Sequence, residues 1–92
     1  MQAKIWNHAQ WVKETDPKSL RIMFDELLQQ SGFNVLSCTE HHFVPQGYTA
    51  LWLLSESHFA VHTFPEFGKS YIELSSCNLD FYLKFLTMTK EL

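Results

Sequence analysis

Residues 48–64 read YTALWLLSESHFAVHTF, and this stretch predicts two consecutive β-strands. Residues 50–54 are all apolar, so the strand from Tyr48 to Leu54 is expected to be buried. Phe59 and Val61 then alternate with small or polar residues, as in a strand that has two different faces. Strands that follow one another directly, with the helices kept apart from them, are typical of α+β folds.

Two amphipathic helices are predicted, one before and one after this pair of strands. The first begins at Asp16 and Pro17, because a capping residue followed by proline fits the first turn of a helix. Its apolar residues recur at helical spacing until Ser31 and Gly32 end it: Leu20, Met23, Phe24, Leu27 and Leu28. Asn78 can cap a second helix with its own apolar residues, Tyr82, Phe85 and Leu86.

Further strands are predicted in three segments: Lys4 to Val12, Phe33 to His42 and Tyr71 to Ser76. The elements follow one another in the order β-α-β-β-β-β-α. We therefore expect an α+β two-layer sandwich, in which both helices cover one face of a mostly antiparallel sheet. With 46% apolar and 15% aromatic residues, the chain is expected to form a single domain over residues 1–92.

The aromatic content also points to a partner chain. A domain this small buries only about 60–65% of the surface of its unfolded chain. Its eight Phe, three Trp and three Tyr are more aromatic area than such a core can easily hide, so we expect a homodimer. The net charge is −3 and the seven Lys and Arg residues are scattered singly, so nucleic acid is not expected as a partner.

The beginning of the chain, MQAKIWNHAQWV, has no apolar segment with a cleavage site, and the longest apolar run is residues 50–54. Neither a signal peptide nor a membrane span is expected. Cys38 and Cys77 lie in different segments without a CxxC spacing, so neither a zinc ribbon nor a disulfide framework is indicated. A reducing cytoplasm is the expected location, and Cys38 is interpreted as a packing residue.

The stretch SESHFAVHTFPE, residues 55–66, carries more reactive groups than packing requires. Ser57 could be a hydrolase nucleophile, but the GxSxG motif is missing and no Asp is obviously placed to orient His62. The histidines and Cys77 could bind zinc, but no pair has the HxxxH spacing, so no metal is expected. Composition alone favours His58 and His62 as hydrogen-bonded core residues and Cys77 as a small buried hydrophobe.

Residues 40–77, EHHFVPQGYTALWLLSESHFAVHTFPEFGKSYIELSSC, closely resemble the short prokaryotic S-adenosylmethionine decarboxylase proenzymes, a family of pyruvoyl-dependent lyases. The HxFxPxG turn, the SESH cleavage motif, the HTxPE segment and a Cys twenty positions after the second Ser of SESH agree in order and spacing. The resemblance implies a carboxy-lyase that makes decarboxylated S-adenosylmethionine for spermidine synthesis.

The resemblance also implies that the chain is a precursor that cuts itself between Glu56 and Ser57, into residues 1–56 and 57–92. A serine hydroxyl can attack the carbonyl of the preceding residue when the backbone is strained, which converts the amide into an ester. β-Elimination then leaves a pyruvoyl group, derived from Ser57, at the new chain end. This covalent group is the expected cofactor.

Three further side chains match the family's catalytic positions. His62 and Thr49 match the residues that assist processing, and an imidazole can take and return protons near neutral pH. Strand alternation places Ser57 and His62 on opposite faces, so a bend or bulge is expected to bring them together. Cys77 matches the acid that returns a proton to the substrate α-carbon after carbon dioxide leaves.

Substrate recognition is implied at three positions. Phe43 and Phe64 match two aromatic residues that sandwich the adenine of S-adenosylmethionine, one from each subunit of a dimer. Glu66 matches the carboxylate that binds the ribose hydroxyls.

The sequence leaves two alternatives open. The first is a pyruvoyl decarboxylase of the same fold that acts on an amino acid such as arginine or ornithine. The second is an uncleaved, non-enzymatic homologue that only binds a ligand or a partner. The mass of the intact chain separates the second alternative from an enzyme, and carbon dioxide release from each substrate identifies the first.

Overall fold

The computed structural model describes residues 4–92, which form a five-stranded sheet and two α-helices. The elements are β1 (Trp6–Val12), α1 (Pro17–Gln30), β2 (Val35–His42), β3 (Tyr48–Leu54), β4 (Ser57–Phe64), a short 3-10 helix (Pro65–Phe67), β5 (Lys69–Ser76) and α2 (Leu79–Thr89). Neighbouring strands all pair antiparallel, in the order β1-β5-β4-β3-β2. The predicted α+β architecture and order of elements are confirmed. Residues 1–3 lie outside the described residues. They belong to the predicted domain and to the N-terminal segment in which no signal peptide is expected.

Both helices begin at the predicted capping residues. Asp16 Oδ2 accepts a hydrogen bond from the backbone N–H of Ser19 at 2.9 Å, and this bond lowers the pKa of the Asp16 carboxyl. At the start of α2, Asn78 Oδ1 accepts from the N–H of Phe81 at 3.0 Å. Each cap satisfies a backbone donor that the first helical turn leaves without a partner inside the helix. No helix within residues 4–92 is long and apolar enough to cross a bilayer.

The hydrophobic core lies between the two helices and one face of the sheet. The sheet contributes buried residues from its three central strands: Tyr48, Ala50, Trp52, Leu54, Phe59, Val61, Ile72 and Leu74. Phe24 of α1 packs against Phe59 of β4 and Phe85 of α2, with ring centroids 4.8 Å and 6.3 Å apart. Since this contact joins both helices to the middle of the sheet, the helices cover the same face, as predicted.

The other face of the sheet is uncovered by the described chain, and we call it the open face. Its residues alternate with those of the core: Asn7, Ala9 and Trp11; Ser37, Thr39 and His41; Thr49, Leu51 and Leu53; His58, Ala60, His62 and Phe64; Lys69, Tyr71, Glu73 and Ser75. Trp11, Leu51 and Leu53 are 48%, 50% and 54% exposed. An apolar surface of this kind is typical of a contact with another molecule.

Candidate active site

The turn between β3 and β4 holds the peptide bond at which cleavage is predicted. Only Ser55 and Glu56 separate the two strands, and Leu54 pairs with Ser57 directly beyond them. Glu56 has a φ of 69°, in the left-handed region that residues other than glycine seldom adopt. A residue in this conformation costs on the order of 1–3 kcal/mol. The backbone is therefore strained at the residue that supplies the carbonyl of the predicted cleavage point.

Ser57 is buried at the first position of β4, and its hydroxyl is bonded to a second serine. Ser57 pairs with Ser76 across β4 and β5, and its Oγ donates a hydrogen bond to Ser76 Oγ at 2.8 Å. Ser76 Oγ in turn accepts from the N–H of Asn78 at 2.9 Å and donates to the Asn78 carbonyl at 3.2 Å. Cys77 is exposed, and it lies between Ser76 and Asn78 in the chain. The structure thus brings Glu56, Ser57 and Cys77 to one end of the sheet.

His62 and Thr49, which match the processing residues of the family, contact each other at the opposite end of the strands from Ser57. His62 and Thr49 are direct partners across β4 and β3, and Nδ1 of the imidazole lies 3.0 Å from Thr49 Oγ1. Both side chains belong to the open face. The same row continues to Tyr71 beside His62 and to His41 beside Thr49. The hydrogen bond to this hydroxyl fixes the orientation of the imidazole ring on the open face.

The expected bend between Ser57 and His62 is wrong. β4 pairs with β3 and β5 without a shift of register between these residues. The two residues are five positions apart in extended strand, a distance of about 16 Å, and their side chains point to opposite faces. A bulge at this position would leave backbone groups of a central strand without partners on both of its sides, which is costly in a buried sheet. Within one chain, His62 is therefore out of reach of Ser57.

The predicted substrate residues lie at the same end of the sheet as His62. Phe43 is exposed in the β2–β3 turn, where its N–H donates to the carbonyl of Gly47 at 2.8 Å. Phe64 ends β4 and packs edge-on against Trp11, with ring centroids 5.6 Å apart. Glu66 Oε2 accepts a hydrogen bond from Gln46 at 3.1 Å. Five of the predicted site residues thus gather at this end of the sheet: Phe43, Thr49, His62, Phe64 and Glu66.

Cys38 lies apart from the residues around Ser57 and from those around His62. This position agrees with its interpretation as a packing residue. Its side chain is partly buried against the core on the helix side of β2. Burial raises the pKa of the Cys38 thiol to about 11, and Arg21 nearby opposes this shift. Across residues 4–92, no three His, Cys, Asp or Glu side chains are arranged so that they could hold a metal ion.

Sequence reasoning missed Ser76, and it used Asn78 only as a helix cap. The alternation of β5 places Ser76 on the same face as Ile72 and Leu74, which marks it as buried. No sequence pattern shows that its cross-strand partner is Ser57, because that depends on the register between β4 and β5.

Comparison with known proteins identifies the family of this chain. The family model described as S-adenosylmethionine decarboxylase matches residues 8–90. The chain belongs to this family. The S-adenosylmethionine decarboxylase proenzyme of Prochlorococcus marinus strain MIT 9211 is 38% identical over 66 residues, which cover 72% of this chain and 54% of the relative. The proenzyme of Thermotoga petrophila is 39% identical over 51 residues, which cover 55% of this chain and 39% of the relative.

A solved structure supports the fold of the family. The crystal structure of the adenosylmethionine decarboxylase of Aquifex aeolicus VF5 superimposes with a TM-score of 0.69, covering 94% of this chain and 79% of that chain. The sequence identity is 18%, so this likeness concerns the fold. The chain spans about half the length of the curated relatives that it matches.

Proposed function

We propose that the chain is a self-cleaving S-adenosylmethionine decarboxylase proenzyme that is cut between Glu56 and Ser57. The observation that carries this proposal is the junction of the two residues: a strained, left-handed Glu56 directly before a buried Ser57 whose hydroxyl is hydrogen-bonded. A nucleophile next to a strained carbonyl favours attack on that carbonyl. The products are residues 1–56 and residues 57–92.

Cleavage proceeds in two stages. Ser57 Oγ attacks the carbonyl carbon of Glu56, a C–O bond replaces the C–N bond, and the hydroxyl proton ends on the nitrogen of Ser57. A base then removes the α-proton of Ser57, and the Cβ–Oγ bond breaks as Glu56 leaves with a free carboxylate. The dehydroalanine tautomerises, and water releases its nitrogen as ammonia, so that a pyruvoyl group begins residues 57–92.

The residues present fit such a group. The start of β4 is an enclosed position flanked by β3 and β5, and Cys77 directly follows the strand partner of Ser57. The pyruvoyl group supplies a carbonyl that condenses with the substrate amine and withdraws electrons as carbon dioxide leaves. Cys77 is exposed at the same end of the sheet, and it provides the proton for the substrate α-carbon.

The active enzyme is a homodimer whose sites are shared between subunits. In one chain Ser57 and His62 are about 16 Å apart on opposite faces of a straight strand. A two-fold arrangement presents His62 and Thr49 of one subunit to the Glu56–Ser57 backbone and Cys77 of the other, and an isologous interface makes this contact twice. The imidazole held by Thr49 then acts as the base in the partner's elimination step. The open face, with its exposed Trp11, is the surface that this arrangement covers.

S-adenosylmethionine binds at the end of the sheet that carries His62. Phe43 and Phe64 flank the start of β3 from its two sides, so their backbones are about 10 Å apart. One of these two rings from each subunit sandwiches the adenine, as the family resemblance implies, and Glu66 beside Phe64 accepts hydrogen bonds from the ribose.

The test is the mass of the purified chain. We expect two fragments that correspond to residues 1–56 and 57–92, the second with a pyruvoyl group, and a whole chain for Ser57→Ala. Carbon dioxide release is then measured with S-adenosylmethionine, arginine and ornithine in parallel, and S-adenosylmethionine is the expected substrate. A wild-type chain that stays whole would refute self-cleavage. Release from arginine or ornithine alone would refute the substrate. The proposed location is the cytoplasm, and the proposed use of the product is spermidine synthesis.

A further inference from the structure

Ser76 is a buried serine to which the proposed cleavage steps assign no role. It is the last residue of β5 and is 1% exposed. A buried hydroxyl must find hydrogen-bond partners, because an unsatisfied one costs about 1–3 kcal/mol. The partner that β4 offers is the hydroxyl of Ser57, the group that attacks Glu56 in the proposed cleavage.

The other hydrogen bonds of Ser76 determine which of the two serines donates in this contact. A serine hydroxyl has one hydrogen to donate and two lone pairs that can accept. Ser76 gives its hydrogen to the Asn78 carbonyl and accepts from the Asn78 N–H and from Ser57. All three positions of Ser76 are then used, and the hydrogen of Ser57 is the one between the two serines.

We propose that Ser76 is a positioning residue for self-cleavage, an inference that rests on the proposed function. Ser76 draws the hydroxyl hydrogen of Ser57 toward β5 and leaves the lone pairs of Ser57 Oγ free to attack. A hydroxyl that donates its hydrogen to an acceptor is also the better nucleophile, since electron density on the oxygen rises. Asn78, which caps α2, holds Ser76 from the other side. The cap of α2 is thus part of the support of the cleavage site.

The first experiment compares two substitutions of nearly equal shape. Ser76→Thr keeps the hydroxyl, and Ser76→Val replaces it by a methyl group. Each chain is made in a cell-free system, and cleavage is followed by intact mass over time. We expect Ser76→Val to be cut at least tenfold more slowly than wild type and Ser76→Thr to be cut within about threefold of it. A tenfold slowing corresponds to about 1.4 kcal/mol, which is within the range of one hydrogen bond.

Ser70→Ala is the matched control. Ser70 is a second buried serine of β5, but it lies at the other end of the strand and its hydroxyl donates to the Glu14 carbonyl. Its loss removes a buried hydroxyl from β5 without touching Ser57 or the open face, so cleavage at the wild-type rate is expected. Ser76→Ala repeats the loss of the hydroxyl with a smaller side chain, in case valine prevents folding. Thermal melting of each uncut chain shows whether it is folded.

Hydroxylamine separates the two stages of cleavage, because it cuts esters and leaves amides whole. If Ser76 serves the attack by Ser57, the slow variant accumulates as an amide that hydroxylamine does not cut. A slow variant that accumulates as an ester would overturn this role, and so would cleavage of folded Ser76→Val and Ser76→Ala at the wild-type rate. Equal slowing by Ser76→Thr and Ser76→Val would also overturn it. A wild-type chain that is never cut refutes the proposed self-cleavage instead, so the two failures are distinguishable.

Discussion

Two inactive chains should restore each other if the site is shared between subunits. One chain carries Ser57→Ala and keeps His62, and the other carries His62→Ala and keeps Ser57. Neither chain can complete cleavage alone, because the first lacks the serine hydroxyl that attacks Glu56 and the second lacks the imidazole base. When both are made together, a mixed dimer has one site that contains Ser57 of one chain and His62 of the other.

The structure determines what fraction of the chains should be cut. β4 runs straight from Ser57 to His62, about 16 Å in extended strand, so no rotation of a side chain joins them within a subunit. With equal amounts and random pairing, half of the dimers are mixed, and each mixed dimer has one complete site. About half of the His62→Ala chains, or about a quarter of all chains, should therefore be cut.

The assay is the intact mass of the two chains after co-expression, with different tags that give them different masses. The His62→Ala chain should yield the two fragments, and the Ser57→Ala chain should stay whole. Separate expression of each variant is the control, followed by mixing of the purified chains at low and high concentration. If the co-expressed His62→Ala chain stays whole although mixed dimers are isolated by their tags, then His62 acts within its own subunit and the shared site is refuted.

Two further predictions concern the cysteines. Cys77→Ala should still be cut but should lose most carbon dioxide release, because its acid is needed only after the pyruvoyl group exists; full activity in a direct assay would mean that another group donates the proton. Iodoacetamide at pH 8 should modify Cys77 well before Cys38, because the thiolate is the reactive form and burial raises the pKa of Cys38 to about 11. Peptide mass mapping measures the modification rate of each cysteine, and equal rates would contradict the burial of the Cys38 thiol.

Local chemistry made the elements predictable from sequence. Asp16 and Asn78 have side chains that accept hydrogen bonds from the first helical turn, so the residue types themselves indicate where each helix begins. Alternation in β5 likewise predicted that Ile72 and Leu74 are buried. These features depend on residues within a few positions of one another, and the structure confirms them.

The geometry of the site was not predictable in the same way, because it depends on pairing between distant residues. Thr49 faces His62 and Ser57 faces Ser76 only in one register of the strands. The expected bend between Ser57 and His62 came from the assumption that the whole site belongs to one chain. The ladders on both sides of β4 oppose that bend, since a bulge would break hydrogen bonds with β3 and β5.

Cleavage between Glu56 and Ser57 should leave the fold intact, because of the order of the strands. Residues 1–56 contain β1, β2, β3 and α1, and residues 57–92 contain β4, β5 and α2. In the sheet, β4 and β5 lie between β3 and β1, so the smaller fragment is paired on both sides with the larger one.

The cut lies where the turn meets the first residue of β4, so the strand pairs from Leu53 and His58 onward are left whole. Phe24 of α1 remains packed against Phe59 and Phe85, which belong to the other fragment, so the core also spans the cut. We therefore expect the two fragments to elute together in size-exclusion chromatography and to separate only in denaturant. Fragments that separate in buffer alone would show that the turn, and not the interleaved sheet, holds the two halves together.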